Sequence, residues 1–382
     1  MLDAVIVGAG PAGSASARLL ASRGFSVRVL EDHGSSGVPT QCAGLITEEV
    51  ARMSGSDPDV FNTLYGAEVV FPGGRSVEVR SKSAKAIVID RADLDAKMAA
   101  AAMDAGADFS YGNRYLSHSV SSGGIEVRSA SGESGCRSLV GADGHSSAVA
   151  MSLGDNGPKE YIRGIQADVF SDSDLVDTFR IRIGNQVAPG FFSWEIPCGD
   201  FVRVGLCASW AAGPPWPYLK RLLSEHYPGD KVRSMYCGKI PLGGRRTTYG
   251  ERCLLIGDAA CHVKPVSGGG LYPAFRAAPM LSEVLASALE SDDLSGKNLS
   301  RYERMWMGDF GKELKRAYFL RKKYARLDDP KLDLAGEYCS RDDVRSALDA
   351  IDLDHPADVI HGMLRKPSAI PGLISLAARC LI

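Results

Sequence analysis

The chain has 382 residues, which at roughly 150 residues per domain implies two or three domains rather than one small core. Its 45% hydrophobic and 24% charged residues mark a globular protein and exclude a disordered or fibrous one. A net charge of −2 supplies no global positive field, so nucleic acid is not expected as the main partner.

Nine cysteines with no C-x-x-C pair read as reduced thiols of a cytoplasmic protein, not as a disulfide framework or a metal site. No segment approaches the roughly 18 uninterrupted apolar residues of a membrane span. The chain runs from Met1-Leu2-Asp3 straight into an apolar stretch, which leaves no room for a signal peptide. A soluble protein, or one attached only to a membrane surface, is expected.

In chain order, Ala4 to Val7 is a short apolar run, Gly8-Ala9-Gly10-Pro11-Ala12-Gly13 follows, and Ser14 to Arg23 is rich in helix formers. Val27 to Leu30 resumes as a second apolar run after Gly24, so the first thirty residues predict one βαβ unit. Strands are predicted at 68–71, 76–80 and 86–89, and an Ala-rich helix at 91–105 ended by Gly106. Further strands follow at 116–120, 125–128 and 137–140. From Tyr161 the pattern becomes β-rich, with strands at 162–169, 178–183, 191–196, 201–207 and 232–240 and one helix at 216–226. Arg252 to Ile256 returns to a buried parallel-strand pattern. Helices are predicted at 271–289 and 299–327, with shorter ones to the end.

Gly8-x-Gly10-x-x-Gly13 sits between strand and helix, where a dinucleotide fingerprint must sit. The first glycine permits the turn, the second lets backbone approach a pyrophosphate, and the third lets helix pack on strand. Phosphate then rests on the helix N-terminus, whose free N–H groups and dipole favour negative charge. Glu31 ends the second strand, 18 residues after Gly13, where a carboxylate can accept both ribose hydroxyls of an adenosine. Three distant segments repeat a strand-end acid before a helix start: Asp90-Arg91-x-x-Leu94-Asp95, Gly141-Ala142-Asp143-Gly144 and Gly257-Asp258-Ala259-Ala260. Such acids can hold the ribityl chain and second phosphate of FAD, and Pro265 to Gly270 can bring N–H groups to the flavin ring.

These ordered motifs resemble FAD enzymes of the p-hydroxybenzoate hydroxylase fold, and within it the geranylgeranyl reductase family, over roughly residues 1–290. The resemblance implies FAD contacts from Gly8, Gly10, Pro11, Ala12, Gly13, Glu31, Asp32, Cys42, Ala43, Arg91, Asp143, Gly144, Gly257, Asp258, Gly268, Gly269, Gly270 and Leu271. Pro39 to Leu45 looks like the family's cysteine loop beside the flavin. Phe191, Trp194 and Pro197, with the later Gly205, are similar to its Y-x-W-x-F-P…G substrate signature, with Phe191 in place of Tyr, and are the expected substrate contacts. Two departures stand out. The arginine that follows G-A-D-G-x-x-S in the related hydroxylases is Ala150 here, and Phe192 to Pro197 also resembles the halogenase W-x-W-x-I-P without its first Trp.

Cys42 lies in a loop and not on an apolar face, so it reads as a catalytic thiol bordering the flavin, with an inert loop thiol as the alternative. His262 and Lys264 lie where they can tune the flavin's charge or serve only as supports. Phe191, Phe192 and Trp194 read equally as strand packing and as the wall of an apolar channel. Between Arg301 and Arg326, nine Lys or Arg against three acids read as a helix with a solvated basic face, the alternative being anionic lipid headgroups. Ile370 to Ile382 reads as a docked helix or a weak surface anchor.

The expected fold is α/β: an FAD-binding Rossmann-like domain (1–160 and 241–290), an inserted antiparallel β-sheet substrate domain (161–240, with part of 65–90), and a helical C-terminal region (291–382). No second G-x-G-x-x-G follows a strand, so electrons must come from an external donor such as reduced ferredoxin or NADPH. The resemblance implies a reductase that hydrogenates isolated C=C bonds of a prenyl lipid chain; the alternative is a flavin monooxygenase or halogenase. An electron relay without substrate is a third class.

Overall fold

The computed structural model describes residues 1–171, 173–349 and 353–354. The segment Ile370 to Ile382 lies outside the described residues. β1 (Leu2–Val7), α1 (Pro11–Ala21) and β2 (Val27–Leu30) form the expected unit. β1 pairs in parallel with β2 on one side and with the strand Gly132–Gly141 on the other. A strand covered on both faces needs apolar residues without alternation, and Ala4 to Val7 are all buried. The strands Cys253–Leu255 and Asp108–Ser110 extend this parallel sheet at either side, and antiparallel edge strands bring it to eight. α1 packs against the helices Arg91–Asp104 and Leu271–Glu290, and Ala15, Ala17 and Ala21 allow their close approach.

A second sheet of seven strands stands over the first domain. Its order is Lys231–Leu242, Glu160–Phe170, Val202–Ser209, Phe192–Pro197, Thr178–Ile183, Gly66–Val70, Ser76–Arg80. All pairings are antiparallel except Thr178–Ile183 with Gly66–Val70, which is parallel; that partner comes from a far earlier part of the chain, so no tight turn has to join the two. Alternation gives this sheet two different faces. The outer face carries Ala167, Val204 and Leu206 under the helix Trp216–His226, together with Glu195, which accepts from Tyr227 Oη (2.9 Å) and Arg182 Nε (2.7 Å). The inner face carries Gly164, Gln166, Asp168, Arg203, Gly205 and Trp194 in neighbouring register.

The helical region begins with Gly296–Trp306, passes through a π turn at Met307–Gly311 and continues as Lys312–Tyr324. One long helix with a π turn thus replaces the plain helix expected at 299–327. Among the described residues, no helix is long and apolar enough to cross a membrane.

Candidate active site

At the glycine turn, Gly8 has φ +104°, and a Cβ there would lie 2.3 Å from the Ala142 carbonyl oxygen. A Cβ at Gly13 would lie 1.9 Å from the Gly8 oxygen, whereas one at Gly10 would meet nothing within 4 Å. Pro11 and Ala12 open α1, which has no side-chain cap, so its first N–H groups face that open cradle. The cradle fits a pyrophosphate. At the end of β2, Glu31 accepts from the Ala9 N–H (2.8 Å) and the His33 N–H (3.0 Å), which fixes its carboxylate beside the turn. Asp32 lies outside it, 2.9 Å from His33 Nδ1.

Gly257 has φ +65°, and a Cβ there would stand 2.8 Å from that of Ala12. The glycine turn and the Asp258 loop, 245 residues apart, therefore meet in space. A Cβ on Gly270 would lie 3.0 Å from Asp258 Oδ1, so the Asp258 carboxylate looks toward the glycine run that precedes Leu271, the first residue of its helix. Burial pushes the Asp258 carboxyl up to about 6, although the Arg91 charge opposes this.

This makes a testable charge. Because the folded-state value lies above the unfolded one, ionising Asp258 destabilises the flavin-free protein as pH rises from about 4 through 6. Asp258→Asn is therefore expected to stabilise the apoprotein at pH 7 by up to about 2–3 kcal/mol, seen as a higher melting temperature, while weakening FAD binding. The gain shrinks to nothing near pH 4, as a pH series of thermal melts would show.

Asp90 caps the helix Arg91–Asp104 by accepting from the Ala92 N–H (2.8 Å), which leaves Arg91 at its first turn pointing inward. Arg91 donates to Asp95 Oδ1 (2.9 Å) and Oδ2 (3.2 Å) one turn later, and its charge acts on the neighbouring Cys42 thiol. Burial alone would lower the Arg91 guanidinium; Asp95 and Cys42 outweigh it and hold the group above its ordinary value. The folded helix turns Asp95 to Arg91 as its ion-pair partner.

The Cys42 loop is gripped from the roof sheet. Gln166 Nε2 donates to the Cys42 carbonyl (2.9 Å) and Arg203 Nη1 to the Ala43 carbonyl (2.9 Å). Arg203 is itself fixed by Asp168 (2.8 Å). Within the loop the Cys42 thiol accepts from the Gly44 N–H (3.4 Å).

Gly268 joins the glycine-rich loop to the roof: a Cβ there would lie 3.1 Å from Ile240 Cδ1 and 3.6 Å from Phe191 Cζ. Gly269 closes the same loop by accepting from the Lys264 N–H (2.9 Å). Phe191 stacks on Phe192 at 4.3 Å, and Phe192 meets Trp194 edge-on at 6.3 Å. Phe192, not Phe191, lies on the strand two residues before Trp194 and shares its face, because the period of a strand is two. Trp194 Nε1 and Gln166 Oε1 are buried without a hydrogen-bond partner among the described residues. Pro197 lies apart at the far end of its strand, its carbonyl held by Asn62 (3.1 Å) at an open cleft with Phe61 and Phe201.

Other residues are held by contacts of their own. The Asp143 carboxylate accepts from Ser147 Oγ (2.5 Å) and the Val149 N–H (3.1 Å), so its side chain holds the helix Ala148–Ser152; Gly144, at φ +72°, makes the turn between them. His262 is fully buried among Tyr302, Trp306 and Phe310, and burial lowers it to about 3. It is neutral near pH 7 and gives the flavin no charge. Lys264 donates to Asp354 (2.7 Å), and Thr47 donates to the other carboxylate oxygen, so Asp354 ties the glycine-rich loop to the end of the Cys42 loop. Arg321 does not join the basic face: it is 2% exposed, donates to Glu160 (2.7 Å) and the Gly190 carbonyl (2.8 Å), and stands over Phe191.

A glycine cradle at a helix N-terminus, an acid fixed beside it at the end of the second strand and a second acid facing a glycine-rich loop fit an FAD-binding oxidoreductase. A model of the FAD binding domain matches residues 1–194. Digeranylgeranylglycerophospholipid reductase 2 of Methanothermobacter thermautotrophicus is 31% identical over 87% of this chain and 90% of its own. The Methanopyrus kandleri protein of that name is 29% identical over 96% and 97%. The chain belongs to the geranylgeranyl reductase family. A geranylgeranyl bacteriochlorophyll reductase-like protein from Thermoplasma acidophilum shares its fold, with TM-score 0.87 and 23% identity over 98% of this chain and 99% of the other. A halogenase follows at TM-score 0.70 and 15% identity, covering 94% and 85%, a likeness of fold alone.

Proposed function

We propose that the protein is an FAD-dependent reductase that saturates isolated C=C bonds in the prenyl chain of a lipid. The observation that carries this reading is the meeting of the glycine turn with the Asp258 loop, whose Gly268 lies against Phe191 of the aromatic roof. When bound and reduced by a donor outside the chain such as ferredoxin or NADPH, FAD would supply the hydride chemistry for one alkene carbon.

The remaining work belongs to the protein. Gly8, Gly10, Pro11, Ala12 and Gly13 cradle the pyrophosphate and Glu31 takes the adenosine ribose. Asp258, with Gly257 behind it, holds the ribityl chain, and Gly268, Gly269, Gly270 and Leu271 present backbone to the ring. Phe191, Phe192 and Trp194 exclude water and lay the apolar chain along the ring. Cys42 Sγ–H donates the proton that the second alkene carbon needs. Arg91, oriented by Asp95, fixes the thiol, and Gln166 and Arg203 hold its loop. The thiol then recovers a proton from solvent.

The likeness to halogenases supplies no substrate, and the chain lacks the first Trp of their motif. A single-turnover measurement separates the readings. Chemically reduced protein mixed with a geranylgeranyl lipid under anaerobic conditions is expected to regain its oxidised-flavin absorbance. Return of that band only on admitting oxygen would overturn the reductase reading in favour of a monooxygenase or halogenase.

A further inference from the structure

The helix Lys312–Tyr324 has an inward face bound to the roof and an outward face with no stated role. Inward, Arg321 is buried against Glu160 and Gly190, and Tyr324 Oη donates to the Phe191 carbonyl (2.5 Å). At 100° per residue, Phe319 points nearly opposite Arg321. It is 61% exposed, unusual for an aromatic side chain, and Leu320 beside it is 39% exposed. Lys312, Lys315, Arg316 and Lys322 are exposed around it, and Lys323 Nζ lies 5.9 Å from its ring centre. Arg326, just beyond the helix, continues the basic rim.

We infer that this face docks on an anionic lipid surface, with Phe319 and Leu320 entering the headgroup boundary and the basic rim pairing with lipid phosphates. Charge complementarity selects an anionic partner. The apolar centre on a single protruding helix face suits a soft lipid layer. Position supports the same partner: the helix is one diameter thick, about 10 Å, and its far side bonds the backbone of Phe191. A docked bilayer would therefore lie one helix away from the aromatic wall proposed to receive a prenyl chain. The inference rests on the prenyl-lipid reading for its purpose, though vesicle binding itself requires no turnover.

The test is co-sedimentation of full-length, FAD-loaded protein with phosphatidylglycerol vesicles and with phosphatidylcholine vesicles. Binding to the first and not the second is expected, weakening as salt rises. Lys315→Glu with Arg316→Glu should weaken it at least about tenfold, and Phe319→Ser should weaken it at low and high salt alike. Both variants should keep wild-type turnover on a detergent-dispersed prenyl substrate with dithionite, which shows that they fold. Absence of sedimentation with phosphatidylglycerol overturns the inference, as does unchanged sedimentation of the charge-reversed variant. So does a charge-reversed variant that sediments normally but loses turnover only with an acidic protein donor, since the face would then serve that donor. Vesicle binding without prenyl reduction would sink the enzymatic reading and leave the docking face standing.

Discussion

Gly10→Ala is expected to give a protein that melts like the wild type but retains FAD ten- to a hundredfold less tightly. Residue 10 has ordinary backbone angles and open space where its Cβ would go, so the fold tolerates the methyl group. The space it fills is the one a pyrophosphate must enter, and overpacking of this kind costs about 1–3 kcal/mol. Gly13→Ala should behave differently. Its Cβ would lie 1.9 Å from the Gly8 oxygen, so α1 must move away from the turn and β1. Loss of both flavin and thermal stability is expected there. Flavin absorbance per protein and melting temperature, read on both variants, distinguish a cofactor contact from a packing contact. If Gly10→Ala keeps wild-type FAD affinity, the cradle is not where the pyrophosphate rests.

The second large effect concerns Cys42. Cys42→Ala should lower single-turnover hydrogenation by about a hundredfold or more, the usual contribution of a positioned proton donor. FAD content should stay unchanged, because the thiol's hydrogen bond is with the Gly44 N–H, which does not belong to the glycine cradle. Asp95→Asn offers the matching test of orientation. It keeps the shape beside Arg91 but removes the charge that holds the guanidinium, so turnover should fall less than in Cys42→Ala and with an altered pH profile. An undiminished rate in Cys42→Ala would take the thiol out of the mechanism and leave the cofactor site intact.

The cofactor end of this site was legible because its chemistry is local. A pyrophosphate on a helix N-terminus needs three glycines at short spacing, and the length of one helix and one strand then sets where Glu31 must fall. Asp258 was legible for the same reason, as an acid at the end of an apolar strand. Gln166 and Arg203 were not, because each sits in a strand and its partner in the Cys42 loop is more than a hundred residues away. A polar residue in a strand reads as a solvent-facing one until the register of the sheet is known. His262 hides in the opposite way: a titratable residue in a loop suggests accessible charge, yet the helix at 296–306 and its π turn enclose it. Phe192 joined Phe191 and Trp194 only once the strand boundary was known, because its face is set by where the strand begins. Asp354, which holds Lys264, lies far from any motif and had no signal at all.

Mass spectrometry of the lipid recovered from anaerobic, dithionite-reduced protein tests the central claim most directly. Incubated with a geranylgeranyl lipid, the protein should yield species heavier by successive pairs of hydrogens, and by no oxygen or halogen. Recovery of unaltered lipid from fully reduced, FAD-loaded protein, with an oxygenated or halogenated product appearing only in air, would contradict it.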